Sequence, residues 1–241
     1  MSIGIAMWSG PRNISTAMMR AFENRADTEV VDEPFYACYL HTTGVDHPLR
    51  DQVIASQPTD WREVVAAMTT DRQGVDYVYQ KHMTHHMLKT IELDWTARLR
   101  NCFLIRDPAY VVSSYLRKRN SVVESDIGIK RQYELYQDIS RISGQVIPVI
   151  DASRFLNNPE RGLRSLCELL DIPYSDNMLS WPRGRRASDG VWAPHWYEAV
   201  EQSTGFQAFS APVVSLSAAQ QAVVDEANTY YQLLLAKAIA E

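Results

Sequence analysis

The sequence predicts an α/β fold, a parallel β-sheet with helices on both faces. Three observations predict it: short apolar runs of strand length, amphipathic runs of helix length between them, and polar clusters placed directly after the apolar runs. Strands joined through helices pair in parallel, because each crossover returns the chain to the same end of the sheet. The first strand is read at residues 3–8, followed by a polar turn at 9–13 and a helix at 14–24 with Ala17, Met18, Ala21 and Phe22 on one face. A second strand at 28–31 ends at Asp32-Glu33-Pro34, where the proline stops it and can open a helix. Residues 42–58 hold a glycine and two prolines with little period, and read as a surface excursion that helps form a substrate lid. Asp60 with Glu63 has capping-box spacing for a helix to about residue 70. Strands follow at 75–80 and 101–106. Pro108 takes a first-turn position for a helix at 109–119, a further helix covers 126–143, and the fifth strand is read at 146–150. Asn158-Pro159 caps and opens a helix that turns Leu163, Leu166, Cys167 and Leu170 inward, and the last helix runs over 217–240. Nothing resembling a linker, repeat or low-complexity tract divides the chain, so residues 1–241 read as a single domain.

The composition narrows the function. A net charge of −5 argues against a general nucleic-acid partner, whose phosphates need an excess of Lys and Arg. Any anion site must then be local, built from a few positioned cations and backbone N–H groups. No apolar run reaches the roughly 20 residues that cross a bilayer, so membrane insertion is not expected. The opening residues lack a basic segment and run into a polar turn, unlike a signal peptide. Three sparse cysteines, Cys38, Cys102 and Cys167, lack metal-ligand spacing and read as reduced thiols of a cytoplasmic protein.

Ser9-Gly10-Pro11-Arg12-Asn13-Ile14-Ser15-Thr16 lies between the first strand and its helix. The first N–H groups of a helix have no intrahelical partner, and the helix dipole there favours an anion. Ser15 and Thr16 add hydroxyl donors and Arg12 adds a full charge, which makes a phosphate cradle. It is not a Walker A loop, which ends in Gly-Lys-Ser/Thr; this turn has no lysine. Arg106, at the end of an apolar strand, is costly unless it meets an anion or a carboxylate such as Asp107. Ser114 lies two turns into the following helix and can line the same groove, so the pair forms a second anion pocket apart from the first. Both clusters and Asp32–Glu33 follow apolar strands, and therefore share the ligand-binding edge of a parallel sheet.

The two motifs together, Pro11-Arg-Asn-Ile-Ser-Thr16 and Arg106-Asp-Pro followed by Ser114, resemble the 5'-phosphosulfate loop and the 3'-phosphate site of sulfotransferases that use 3'-phosphoadenosine 5'-phosphosulfate (PAPS). The resemblance spans roughly the first half of the chain and implies a three-layer sandwich like that of P-loop NTPases. It implies PAPS as co-substrate without a required metal, and a small-molecule or carbohydrate hydroxyl as acceptor. It places Gly10, Pro11, Arg12, Asn13, Ile14, Ser15, Thr16, Arg106 and Ser114 around the nucleotide. Arg183, Gly184 and Arg185 join them by position, although they break the late Gly-x-x-Gly-x-x-Lys spacing of the cytosolic members. Asn13-Ile14 stands where the family has Ser-Gly, and a β-branched Ile14 would resist a positive φ at that point.

Sulfuryl transfer is close kin to phosphoryl transfer, in which positioning and charge stabilisation dominate. The resemblance assigns Arg12 to the bridging oxygen of the leaving group. Two residues compete to take the acceptor's proton. Glu33, followed by Pro34, is similar to the catalytic Glu-Pro of carbohydrate, tyrosylprotein and related bacterial sulfotransferases. His82, in Gln80-Lys-His-Met-Thr-His-His86, resembles the Lys-Thr-His histidine of the cytosolic enzymes. Lys81 contacts the sulfate or faces solvent, and Trp192, His195, Trp196 and Tyr197 are expected either in an acceptor wall or in a flap on the core. Two rival functions fit some of these residues. One is a P-loop-type ATP-dependent kinase with Asp32 or Asp151 on Mg²⁺, weakened by the missing lysine; the other is a non-catalytic nucleotide-binding relative.

Overall fold

The computed structural model describes residues 1–117, 121–211 and 213–239. β1 (Ile3–Ser9) alternates its side chains across the sheet, so Ile5 and Met7 enter one apolar layer while Ala6 and Trp8 enter the other. α1 (Ser15–Glu23) and β2 (Thr28–Asp32) follow, then α2 (Tyr36–Thr43), α3 (Arg50–Ser56) and α4 (Trp61–Met68). β3 (Tyr77–Met83) and β4 (Arg100–Ile105) flank β1, with two 3-10 turns between them in sequence. α5 (Pro108–Leu116), α6 (Glu124–Ile127) and α7 (Ile129–Ser143) lead to β5 (Val149–Asp151). The chain continues through α8 (Ala152–Phe155), α9 (Pro159–Leu169), α10 (Ala193–Trp196), α11 (Glu198–Glu201) and α12 (Ala218–Leu235).

The five strands form one sheet in the order β2-β3-β1-β4-β5, and every described pairing is parallel. From β1 the chain moves first to one side and then to the other, which opens a crevice at the carboxyl ends beside β1. One face packs Met18 and Phe22 of α1, Leu40 of α2 and Leu163 and Leu166 of α9 against the sheet. The opposite face packs Leu135 and Ile139 of α7 and Val224 and Leu234 of α12. These are the expected helices on both faces. Among the described residues no helix is long and apolar enough to cross a membrane.

Several element boundaries differ from the sequence reading, among them the helix read at 126–143, which Gly128 at φ 65° divides into α6 and α7, and β3, which begins at Tyr77. The 42–58 stretch is not structureless, since it contains α3, which buries Val53. β3 runs on through Met83 because both neighbours extend to meet it: Asp32 pairs with Lys81, Trp8 with His82 and Ser9 with Met83. β5 begins only at Val149, since Val146 is exposed and Pro148 has no N–H to give a ladder. The expected ends of two helices, Arg119 and Ala240, lie outside the described residues. Asn158 caps α9 as read, its side chain accepting from the Arg161 N–H at 3.2 Å with Pro159 in the first turn. Asn158→Ala is expected to cost about 1 kcal/mol, measured as a lower urea midpoint at unchanged slope.

Candidate active site

A cleft of about 420 Å³ opens at the carboxyl ends of the strands, within the size range of small-molecule and cofactor sites. The turn after β1, the Glu33 turn after β2, the turn after β3, Arg106 after β4 and the last turn of α5 all reach it, joined by the segment that follows α10.

At one end the turn after β1 supplies Pro11, Arg12, Asn13, Ile14, Ser15 and Thr16 to the lining. Gly10 lies beneath it, where an added Cβ would come within 3.1 Å of the Ile127 carbonyl, a tight contact that would require the neighbouring backbone to give way. Asn13 braces the turn: its Nδ2 donates to the Leu104 carbonyl of β4 at 3.0 Å and its Oδ1 accepts from the Ile14 N–H. The residue in the left-handed region is Arg12, at φ 54°, whereas Ile14 has φ −87° and packs beside the core. The isoleucine is therefore unstrained, and the turn differs locally from one that needs glycine at position 14. The first-turn N–H groups of α1 remain for an anion.

Arg106 reaches across from the end of β4, its Nη1 donating to the Arg12 carbonyl at 2.6 Å. Arg12 Nε donates to Ser114 Oγ of α5 at 3.1 Å. The two residue clusters expected apart thus adjoin, because β1 and β4 are neighbours and the turns at their ends abut. Asp107 does not pair with Arg106; its carboxylate caps α5 through the Ala109 N–H at 2.8 Å. Among the described residues neither Arg12 nor Arg106 lies within ion-pair distance of a carboxylate. Burial lowers the pKa of both; Arg117 lowers Arg12 further, while Arg12 and then Arg117 lower Arg106, with Asp107 and Asp151 partly opposing. Cations crowded together without an ion-paired carboxylate are relieved by a bound anion.

In the middle of the cleft stands a buried ionic cluster. Lys81 Nζ donates to Asp32 Oδ1 at 2.9 Å and to Glu33 Oε1 at 2.6 Å, and Tyr197 OH lies 2.7 and 2.9 Å from the two Asp32 oxygens. Lys81 therefore neither faces solvent nor offers its ammonium freely to the cleft. Burial works against its charge, but Asp32 and Glu33 hold its pKa above the usual lysine value. Glu33, like Arg12, has left-handed backbone, at φ 44°. Burial raises the Glu33 pKa, with Asp32 adding to the rise and Lys81 opposing it. Its Oε1 is spent on Lys81, and its Oε2 faces His86 Nδ1 across 3.9 Å.

His82 is not brought to this cleft. Neighbouring strand residues point to opposite faces, so Lys81 enters one side while His82 stacks on Trp8 at 4.4 Å in the other core layer. Burial there lowers its pKa to about 3. The cleft instead receives His85 and His86 from the turn that follows. His86 is sandwiched between Tyr36 at 4.4 Å and Tyr39 at 5.0 Å, and its buried Nδ1 makes no hydrogen bond. Burial and neighbouring histidines keep it neutral, and His85 is lowered to about 4. Tyr36 continues through His47 to Trp196, so a line of rings runs from Glu33 along the cleft.

The late segment is divided. Trp196 and Tyr197 line the cleft, Trp192 is buried in the core, and His195 is exposed. Arg183, Gly184 and Arg185 are not brought to the cleft. Gly184, at φ 106°, donates its N–H to the Glu201 carbonyl at 2.8 Å, and Arg185 lies 3.7 Å from the Glu201 carboxylate, which holds the turn outside. Ser203, Gly205 and Phe206, which the sequence reading passed over, do line the cleft.

This chain belongs to the sulfotransferase family: the family model described as Sulfotransferase domain matches residues 3–238. Solved structures share the fold. The sulfotransferase domain from the curacin biosynthetic pathway is 15% identical with a TM-score of 0.56, covering 95% of this chain and 98% of that one. The sulfotransferase from Alicyclobacillus acidocaldarius is 9% identical with a TM-score of 0.53, covering 98% and 94%. Two Arabidopsis thaliana proteins, branched-chain-amino-acid aminotransferase-like proteins 1 and 2, are 38% and 35% identical over 202 residues, which is 84% of this chain and 36% of theirs. The chain thus corresponds to little more than a third of the length of those relatives.

Proposed function

We propose that this protein transfers the sulfuryl group of PAPS to the hydroxyl of a small molecule or carbohydrate by direct displacement. The observation that carries the reading is the pair Arg12 and Arg106 at a helix start, joined by the bond from Arg106 Nη1 to the Arg12 carbonyl and, among the described residues, without an ion-paired carboxylate. Such a site fits the two phosphates of a 3',5'-bisphosphate nucleotide, one for each arginine. In this reading Arg12, Ser15, Thr16 and the α1 N–H groups hold the sulfated end, and Arg106 with Ser114 holds the 3'-phosphate.

The 3.9 Å gap between Glu33 Oε2 and His86 Nδ1 is too long for a bond, but one hydroxyl oxygen can lie at about 2.8 Å from each. There the acceptor O–H donates to Glu33 while His86, with its proton on Nδ1, donates to the same oxygen and leaves one lone pair for sulfur. As the new O–S bond forms, the proton passes to Glu33 and the bond from sulfur to the phosphate oxygen breaks. Arg12 meets the charge left on that oxygen.

The aspartates of the kinase reading are engaged elsewhere: Asp151 caps α8 and accepts from Tyr231 OH at 2.8 Å, while Asp32 is held by Lys81 and Tyr197. The names of the Arabidopsis relatives raise an aminotransferase reading. That chemistry needs a lysine free to lose its proton, and Lys81, the lysine in the described cleft lining, is held protonated by two carboxylates.

Thermal unfolding with nucleotides tests the proposal. At a hundredfold excess over its Kd, 3',5'-ADP without metal is expected to stabilise the protein by about 2.7 kcal/mol, with 5'-AMP giving a smaller effect. A shift with ATP and Mg²⁺ but none with 3',5'-ADP would favour the kinase. Binding without transfer to any alcohol of an acceptor panel would favour a non-catalytic relative.

A further inference from the structure

The segment after α9 does more than wall the cleft. It is anchored at two points, one on α1 and one on β2. Asp189 forms a buried ion pair with Arg20 of α1, both side chains being 1% exposed. Next to it, the Gly190 N–H donates to Asp32 Oδ2 at 3.1 Å. The segment then places Tyr197 into the ionic cluster, where its hydroxyl meets both Asp32 oxygens, lies 2.5 Å from Lys81 Nζ and 3.4 Å from Glu33 Oε1, and accepts from Trp192 Nε1 at 3.0 Å. A phenol has a single proton, and with lysine and indole both donating to its oxygen, that proton goes to Asp32.

We infer that Tyr197 is a positioning residue for Glu33: its hydroxyl, brought in by the C-terminal segment, screens Asp32 and fixes Lys81 so that Glu33 keeps one oxygen bound and presents the other to the cleft. This rests on the assignment of Glu33 as the base. Two carboxylates share one lysine, so the Asp32 charge bears directly on Glu33, and whatever donates to Asp32 moderates it. Docking of the segment that carries Trp196 and lines the cleft thereby also completes the base.

The groups facing Glu33 are Asp32 from β2, Lys81 from β3, His86 from the turn after β3 and Tyr197 from the segment after α10, with His47 and His85 behind His86. Removing the phenol oxygen takes that donor from Asp32, whose charge then bears more strongly on Glu33. This disfavours the ionised Glu33, so its titration moves upward.

The test follows the Glu33 carboxyl carbon by NMR in protein labelled with ¹³C-glutamate, the resonance being assigned by its loss in Glu33→Gln. In Tyr197→Phe the midpoint is expected to rise by about one pH unit, and in Asp32→Asn it is expected to fall. A purely structural tyrosine would lower thermal stability and leave the midpoint in place, which would overturn the inference. Should Tyr197→Phe not fold, Trp192→Phe, which removes the donor that polarises the hydroxyl, is expected to move the midpoint in the same direction; an unmoved midpoint there would equally overturn it. Calorimetry with 3',5'-ADP on the same samples keeps the two ideas apart. Absent binding in the wild type sinks the sulfuryl-transfer reading, whereas normal binding with an unmoved midpoint sinks only the role of Tyr197.

Discussion

Glu33→Gln is expected to lower turnover by about 10²–10⁴-fold at saturating PAPS, with little change in affinity for 3',5'-ADP. The substitution keeps the shape and burial of the side chain, so Lys81 retains Asp32 and Tyr197 as partners and the fold has little reason to change. What is lost is a carboxylate oxygen able to take the proton as sulfur is attacked. Release of the bisphosphate nucleotide, followed with whichever sugar, phenol or aliphatic alcohol the wild type sulfates fastest, measures the effect. The wild-type pH profile carries the same signature. Glu33 must be ionised to act, and burial lifts its pKa above the ordinary glutamate value, so activity should fall with falling pH earlier than an exposed glutamate would dictate. The limb should vanish in Glu33→Gln. If turnover in that variant is unaffected, the proton goes elsewhere, and His86 is the next group in place, its ring already facing the same gap. His82 is not, since Trp8 covers it on the far face of the sheet.

Why the sequence supported His82 shows where its legibility ends. The apolar run that marks β3 fades after Gln80, so Lys81 and His82 looked like loop residues, both free to turn toward a ligand. Pairing with β1 and β2 carries the strand three residues further, and within a strand adjacent side chains cannot share a face. Once the strand is extended to Met83, parity alone sends one of the two into the core. The same extension makes Asp32 and Lys81 cross-strand partners, a buried ion pair that no local pattern announces. By contrast, the turn after β1 and the Arg106 motif were readable, because each is a short cluster whose place after an apolar strand fixes where it must lie. Their contact was not readable. It follows from β4 lying beside β1, a property of strand order that the chain does not spell out locally. Arg183 to Arg185 had only position to recommend them, and the bond from Gly184 to Glu201 takes that turn away from the cleft.

Arg106→Ala is expected to weaken 3',5'-ADP by about 30-fold or more, and to weaken 5'-AMP, which lacks the 3'-phosphate, at least about tenfold less. The comparison between nucleotides matters because Arg106 has two tasks. Its Nη1 holds the Arg12 carbonyl, so any truncation loosens the turn that faces the other phosphate and costs both ligands something. Only the charge contributes specifically to the 3' group. In the free protein that charge is held against Arg12 and Arg117 without an ion-paired carboxylate, an arrangement that burial makes still less favourable. In the proposed complex the bisphosphate relieves this repulsion, which adds to its affinity. Equal losses for the two nucleotides would reduce Arg106 to a brace for the turn and move the 3'-phosphate to other donors. Raising ionic strength gives an independent check: the nucleotide with more charge should lose affinity faster in the wild type, and that difference should shrink in Arg106→Ala.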